Sequence, residues 1–167
     1  MYNKIYIIGP VGSGKTTLSN QLSEKYSIEK YELDKIVWDD ENGNIKRSDG
    51  EIDKLFKEIL KNKKWIIEDV GRKKFIDGIK SADITYYIDL SRFNIYKRCV
   101  FRWVKQKMGK EKYNYKPTLK GLFEMLRWAK HDINNKNEKI GRIIDNSKQY
   151  KILKKDDIRL LESYINK

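Results

Sequence analysis

The chain has one cysteine, Cys99, and one histidine, His131, so it can close no intramolecular disulfide and assemble no zinc site from Cys and His ligands. Any metal chemistry has to use oxygen ligands. It also lacks a run of the roughly 20 apolar residues that span a bilayer. Ile5-Tyr6-Ile7-Ile8 near the start is too short for the apolar region of a secretory signal. These absences predict a cytoplasmic protein that does not enter a membrane. Arginine is scarce, 8 residues against 29 lysines, and Arg92, Arg98 and Arg102 fall in one short stretch. The formal charge of +13 comes from lysines spread over the whole length and mixed with acids. A lysine-rich solvated surface is the simpler reading, and attraction of polyanions, nucleotides included, is the other. The 167 residues are expected to form one domain, 1–167, around a single core.

Apolar runs alternate with helical patterns along the chain. Ile5 to Ile8 reads as a strand, followed by a glycine-rich turn and by Leu18, Leu22 and Tyr26 at helical spacing. Residues 28–33 read as a second strand, and 51–60 as a helix with Ile52, Leu55, Phe56, Ile59 and Leu60 on one face. Trp65-Ile66-Ile67 predicts a third strand, residues 84–90 a fourth, and 149–153 a fifth before a C-terminal helix carrying Ile158, Leu160, Leu161 and Ile165. Strands separated by helices imply an α/β sandwich with a parallel sheet, because parallel neighbours need crossover connections. Residues 91–147 form a long, mostly helical region in which two helices are expected to meet at a polar loop, 109–117. A second polar loop is expected over 39–44.

The most specific signal is Gly9-Pro10-Val11-Gly12-Ser13-Gly14-Lys15-Thr16, a full match to the P-loop pattern, placed after a strand and opening a helix. In that setting Gly9, Gly12, Ser13, Gly14, Lys15, Thr16 and Thr17 are the nucleotide-binding candidates. Backbone N–H groups and the helix dipole converge on phosphate there. Lys15 is assigned to the β- and γ-phosphates and Thr16 to Mg²⁺, with ATP as the nucleotide.

Further candidates gather at the expected carboxyl ends of the strands, where ligands of open parallel sheets bind. Glu32-Leu33-Asp34 ends strand two, and period-2 alternation places both acids on one side. Asp34 is assigned to bind or deprotonate an acceptor hydroxyl, or else caps a following helix. Strand three ends in Glu68-Asp69-Val70-Gly71-Arg72. Glu68 is the candidate for organising Mg²⁺, with Asp69 an alternative, and Arg72 is the candidate for binding the acceptor. Arg98 and Arg102, at i and i+4, share a helix face from which guanidinium groups can neutralise a transferring phosphoryl group. Cys99 and His131 read as structural, and Trp103, Phe123 and Trp128 as core or helix contacts.

With these residues in place the chain resembles the adenylate kinase and shikimate kinase group of P-loop kinases. It is most similar to the DNA-topology-modulation (FlaR-like), adenylate-kinase-related proteins. The resemblance covers most of the length and rests on the N-terminal glycine-rich loop, Leu33-Asp34-Lys35 with Trp38, Trp65-Ile66-Ile67-Glu68-Asp69, and Ala82-Asp83-Ile84 leading to Ile88-Asp89-Leu90-Ser91. It implies a five-stranded parallel sheet in the order 2-3-1-4-5, flanked by helices, with a helical lid over about 91–147. Adenylate kinases carry Asp-Gly-Phe-Pro-Arg where this chain has Glu68-Asp69-Val70-Gly71-Arg72, so AMP is not the expected acceptor. The glycine-rich element that seats shikimate is not evident either.

The expected function is transfer of the γ-phosphate of Mg-ATP to a small hydroxyl or phosphate acceptor. The expected partners are a nucleoside triphosphate and a small molecule. Nucleic acid is the less favoured partner, within an alternative reading of the chain as a nucleotide-dependent regulatory protein.

Overall fold

The computed structural model describes residues 2–39, 42–43, 45–110 and 117–165, apart from the side chains of 162–165. Five parallel strands form the central sheet: β1 (Lys4–Ile8), β2 (Lys30–Glu32), β5 (Trp65–Asp69), β6 (Ile84–Ile88) and β7 (Tyr150–Leu153). Their order is β2-β5-β1-β6-β7. Counted along the main sheet alone, that is second, third, first, fourth, fifth, as the resemblance implied.

The three central strands are buried along nearly their whole length because helices cover both faces. Within β1, Ile5 and Ile7 point into one core layer with Leu18, Leu22, Ile95, Cys99 and Ala129. Tyr6 and Ile8 point into the other, with Leu33, Phe56, Phe75, Ile79 and Ile143. The first layer is closed by α1 (Lys15–Tyr26), α5 (Arg92–Lys107), α6 (Leu119–Asn134) and α8 (Lys155–Ile165). The second is closed by α2 (Leu33–Val37), α3 (Asp49–Lys61), α4 (Ile76–Ser81) and α7 (Lys136–Asn146). Helix α3 begins at a capping box in which Ser48 and Glu51 satisfy each other's backbone N–H groups. No helix among the described residues is long and apolar enough to cross a membrane.

Two expectations need correction. The second strand ends at Glu32, because Leu33 turns into the core to start α2 and is fully enclosed. Asp34 therefore sits in the first turn of a short helix rather than on a strand. After α2 the chain also makes a small antiparallel pair, β3 (Trp38–Asp39) with β4 (Ile45–Lys46), on either side of the expected polar loop. The region 91–147 contains three helices, not two, since the chain breaks again at Asn135 between α6 and α7. The expected loop at 109–117 lies mostly outside the described residues.

Candidate active site at the P-loop and the strand ends

The segment 9–14 joins the buried end of β1 to α1, and its backbone is shaped by two glycines. Gly12 has φ +77° and Gly14 φ +99°, the left-handed region that disfavours side chains. A Cβ at Gly12 would lie 2.9 Å from Cys99 Sγ, and one at Gly14 would lie 2.9 Å from Arg98 Nη1. The loop closes with Ser13 N–H donating to the Pro10 carbonyl at 3.1 Å. Ser13 Oγ is buried and has no partner in the structure. A buried hydroxyl of this kind calls for a ligand or an ordered water to complete it. The Lys15 ammonium folds back to donate to the Pro10 carbonyl at 3.0 Å. Burial pulls its pKa below the ordinary lysine value, while Glu68, Asp34, Asp132 and Asp69 oppose that shift.

Beside Lys15 the first turns of α1 are tied to the end of β5. Thr16 Oγ1 donates to Glu68 Oε1 at 2.8 Å, and Ser19 Oγ donates to Glu68 Oε2 at 2.7 Å. Glu68 is 7% exposed, so both hydroxyls help to offset the cost of burying its charge. Thr16 and Glu68 are among the candidates from the sequence; Ser19 lies outside the P-loop motif, although i, i+3 spacing from Thr16 puts it on the same helix face. Thr17, by contrast, is exposed.

One residue further along, Asp69 serves a different group. Its Oδ2 accepts the backbone N–H groups of Gly71 at 2.8 Å and Arg72 at 2.6 Å, and its Oδ1 accepts from Arg72 Nη1. Arg72 Nη2 in turn donates to Asp34 Oδ1. The neighbouring acids of β5 thus divide their work, Glu68 toward the P-loop and Asp69 toward Arg72 and Asp34. Glu32 is engaged by Lys30 at 2.7 Å and Lys35 at 3.1 Å. It does not share a ligand-facing side with Asp34 in the way strand alternation suggested.

Helix α5 supplies the arginines. Arg98 Nη1 donates to the Ser13 carbonyl at 2.7 Å, which brings a guanidinium against the P-loop. Arg102, one turn on, is partly buried. Arg92 donates to Asn134 at 3.0 Å, joining α5 to α6. Cys99 is buried beneath Gly12, and burial raises its thiol pKa, which fits a packing residue. His131 contacts Asn135 within the helical region. Trp103 donates to the Thr118 carbonyl at 3.0 Å, as a helix contact should. Phe123 and Trp128 are 67% and 51% exposed, so neither is core. No spacing or motif announces that Lys139 and Asp132, 2.6 Å apart and each 7% exposed, form a buried pair behind Gly71.

The donor set fits a polyphosphate and a hard cation. Ser13 offers an orphaned buried hydroxyl, Gly12 and Gly14 leave room for close backbone approach, and Thr16 with Glu68 supplies oxygen ligands. Among the described residues no cluster of three or more His, Cys, Asp or Glu side chains forms a protein-only metal cage.

No protein-family model and no curated protein matches the sequence. Several solved structures share its fold. Shikimate kinase from Bacteroides thetaiotaomicron superposes with a TM-score of 0.61 at 11% identity, over 100% of both chains. Shikimate kinase from Acinetobacter baumannii, in complex with shikimate, gives 0.59 at 14% identity over 97% of this chain and 89% of that one. The enzyme from Aquifex aeolicus gives 0.54 at 18%, over 97% and 95%. The chain thus has the α/β fold of shikimate kinases.

Proposed function

We propose that the protein is an ATP-dependent phosphotransferase that moves the γ-phosphoryl group of Mg-ATP to a small acceptor in the cytoplasm. The observation that carries this reading is the joint engagement of Glu68 by Thr16 and Ser19, next to Lys15 in a glycine-shaped loop. A bound Mg²⁺ would be held by Thr16, with Glu68 orienting its water, and would neutralise phosphate charge. Lys15 exchanges the Pro10 carbonyl for phosphate oxygens. Arg98 and Arg102 approach from α5 to offset the charge on the transferring group.

Asp34 and Arg72 define the acceptor end. The acceptor oxygen forms its bond to the γ-phosphorus as the bond to the bridging oxygen breaks, with its electron pair leaving on ADP. The acceptor proton passes to the Asp34 carboxylate. The test is ADP formation from Mg-ATP across nucleosides, nucleoside monophosphates, hydroxylated metabolites and 5′-hydroxyl oligonucleotides, with Lys15→Ala as control. A Lys15-dependent rise with one acceptor class supports the reading; equal rates in both proteins contradict it.

A second reading, nucleotide-dependent binding of nucleic acid as in topology-modulation proteins, is supported by α5. Its sixteen residues carry six Lys or Arg and no acid, and Phe93 and Phe101 stand 74% and 55% exposed. A mobility shift with duplex and single-stranded DNA, at near-physiological salt with and without ATP, tests it. ATP-responsive binding favours this reading, and weak binding indifferent to ATP removes it.

A further inference from the structure

The acceptor end of the crevice holds its cations in advance. Asp69 accepts from Arg72 Nη1 and from the Gly71 and Arg72 backbone, and its side chain is 0% exposed, so this carboxylate is fixed in place. The other edge of the same guanidinium faces Asp34, whose side chain is 65% exposed. The cations of α7 are paired too: Lys139 with Asp132 at 2.6 Å, Arg142 with Glu138 at 2.9 Å, which also takes Lys73 at 2.7 Å, and Lys136 with Asp89 at 2.6 Å. Arg142 also donates to the Gly71 carbonyl at 2.8 Å. Two carboxylates thus face the one Arg72 guanidinium.

Resting on the kinase reading, we propose that the acceptor is an uncharged hydroxyl compound, a polyol, sugar or nucleoside, and that Asp69 is the positioning residue that enforces this choice. A phosphorylated or carboxylated acceptor needs a cation to receive it. To reach Arg72 it must displace Asp34, and it then competes with Asp34 and Asp69 for one guanidinium. Displacing Asp34 also removes the base that takes the acceptor proton. A neutral hydroxyl meets neither obstacle: it donates to the exposed Asp34 carboxylate, which Arg72 orients. As the acceptor oxygen bonds to the γ-phosphorus and ADP departs with the electron pair of the broken bond, the proton moves to Asp34.

The experiment compares kcat/KM for matched acceptors, nucleosides against their 5′-monophosphates and polyols against hydroxy acids including shikimate. Wild type and Asp69→Asn are used, with Mg-ATP affinity measured in parallel. The wild type is expected to favour the neutral member of the preferred pair by about tenfold or more. Asp69→Asn, which frees Arg72 from its fixed partner, is expected to lower that ratio about tenfold while the Kd for Mg-ATP stays within about twofold. A purely structural role for Asp69 would lower both members of each pair together and leave the ratio unmoved, which overturns its assignment. If Asp69→Asn does not fold, the wild-type ratio alone decides the acceptor class. Lys15-dependent transfer that favours monophosphates or carboxylates overturns the proposal and leaves the kinase reading standing. Absence of Lys15-dependent transfer to every acceptor overturns both.

Discussion

The Thr16 hydroxyl donates to Glu68 Oε1 at 2.8 Å, joining the first turn of α1 to the end of β5. With the Ser19 hydroxyl 2.7 Å from the other oxygen, Glu68 accepts two side-chain hydrogen bonds from one helix.

Glu68→Gln breaks this symmetry, because an amide presents a donor to one of the two hydroxyls. Apparent Mg²⁺ affinity or transfer rate is expected to fall by about 10–100-fold, and stability by about 1–3 kcal/mol. Activity as a function of Mg²⁺ concentration, paired with urea unfolding, separates the two effects. Unchanged Mg²⁺ dependence would remove Glu68 from the metal role.

Gly12→Ala tests the shape of the loop. The new methyl group lies in the left-handed region and 2.9 Å from Cys99 Sγ, whereas Gly43, with φ +85°, has open space around it. Gly12→Ala should cost about 1–3 kcal/mol and Gly43→Ala clearly less, since only the first adds a clash. Thermal unfolding of the two variants checks this, and equal losses would mean that Cys99 yields without cost.

Burial, with Tyr2 and Tyr26 nearby, pushes the Tyr86 phenol up to about 12. The ordinary value is about 10, so the folded state favours the protonated phenol. The resulting stabilisation is complete below pH about 10 and is lost as pH rises through about 12. Tyr86→Phe removes the titration with little change in volume. Across this window its unfolding free energy should fall less than that of the wild type, by up to roughly 2–3 kcal/mol. Urea unfolding at stepped alkaline pH measures the difference, and parallel curves would contradict it.

The parts of the fold that could be read from the sequence are those whose burial leaves a local trace. Strands β1, β5 and β6 are covered on both faces and appear as continuous apolar runs. The P-loop was legible because close backbone approach leaves glycine little competition at Gly12 and Gly14. Helix α2 begins inside the expected strand, at Leu33, because five residues carry too little periodicity to mark its start and its end is held from elsewhere. Arg47 Nη1 donates to the carbonyls of Lys35, Ile36 and Trp38 at 2.6, 3.2 and 2.9 Å. The break between α6 and α7 has no proline or glycine to announce it. The separate duties of Glu68 and Asp69 depend on partners far apart in sequence, Thr16 and Ser19 for one and Arg72 for the other, with Arg72 reaching on to Asp34. Neighbouring acids in a sequence do not reveal such a division.

Calorimetric titration of wild type and Lys15→Ala with ATP, each with and without Mg²⁺, tests the central claim most directly. Saturable, Mg²⁺-strengthened binding by the wild type is predicted, weakened by about tenfold or more in Lys15→Ala, with the two proteins melting at similar temperatures. Equal affinity in both proteins, or no binding by the wild type, would contradict the assignment of this loop to a nucleoside triphosphate.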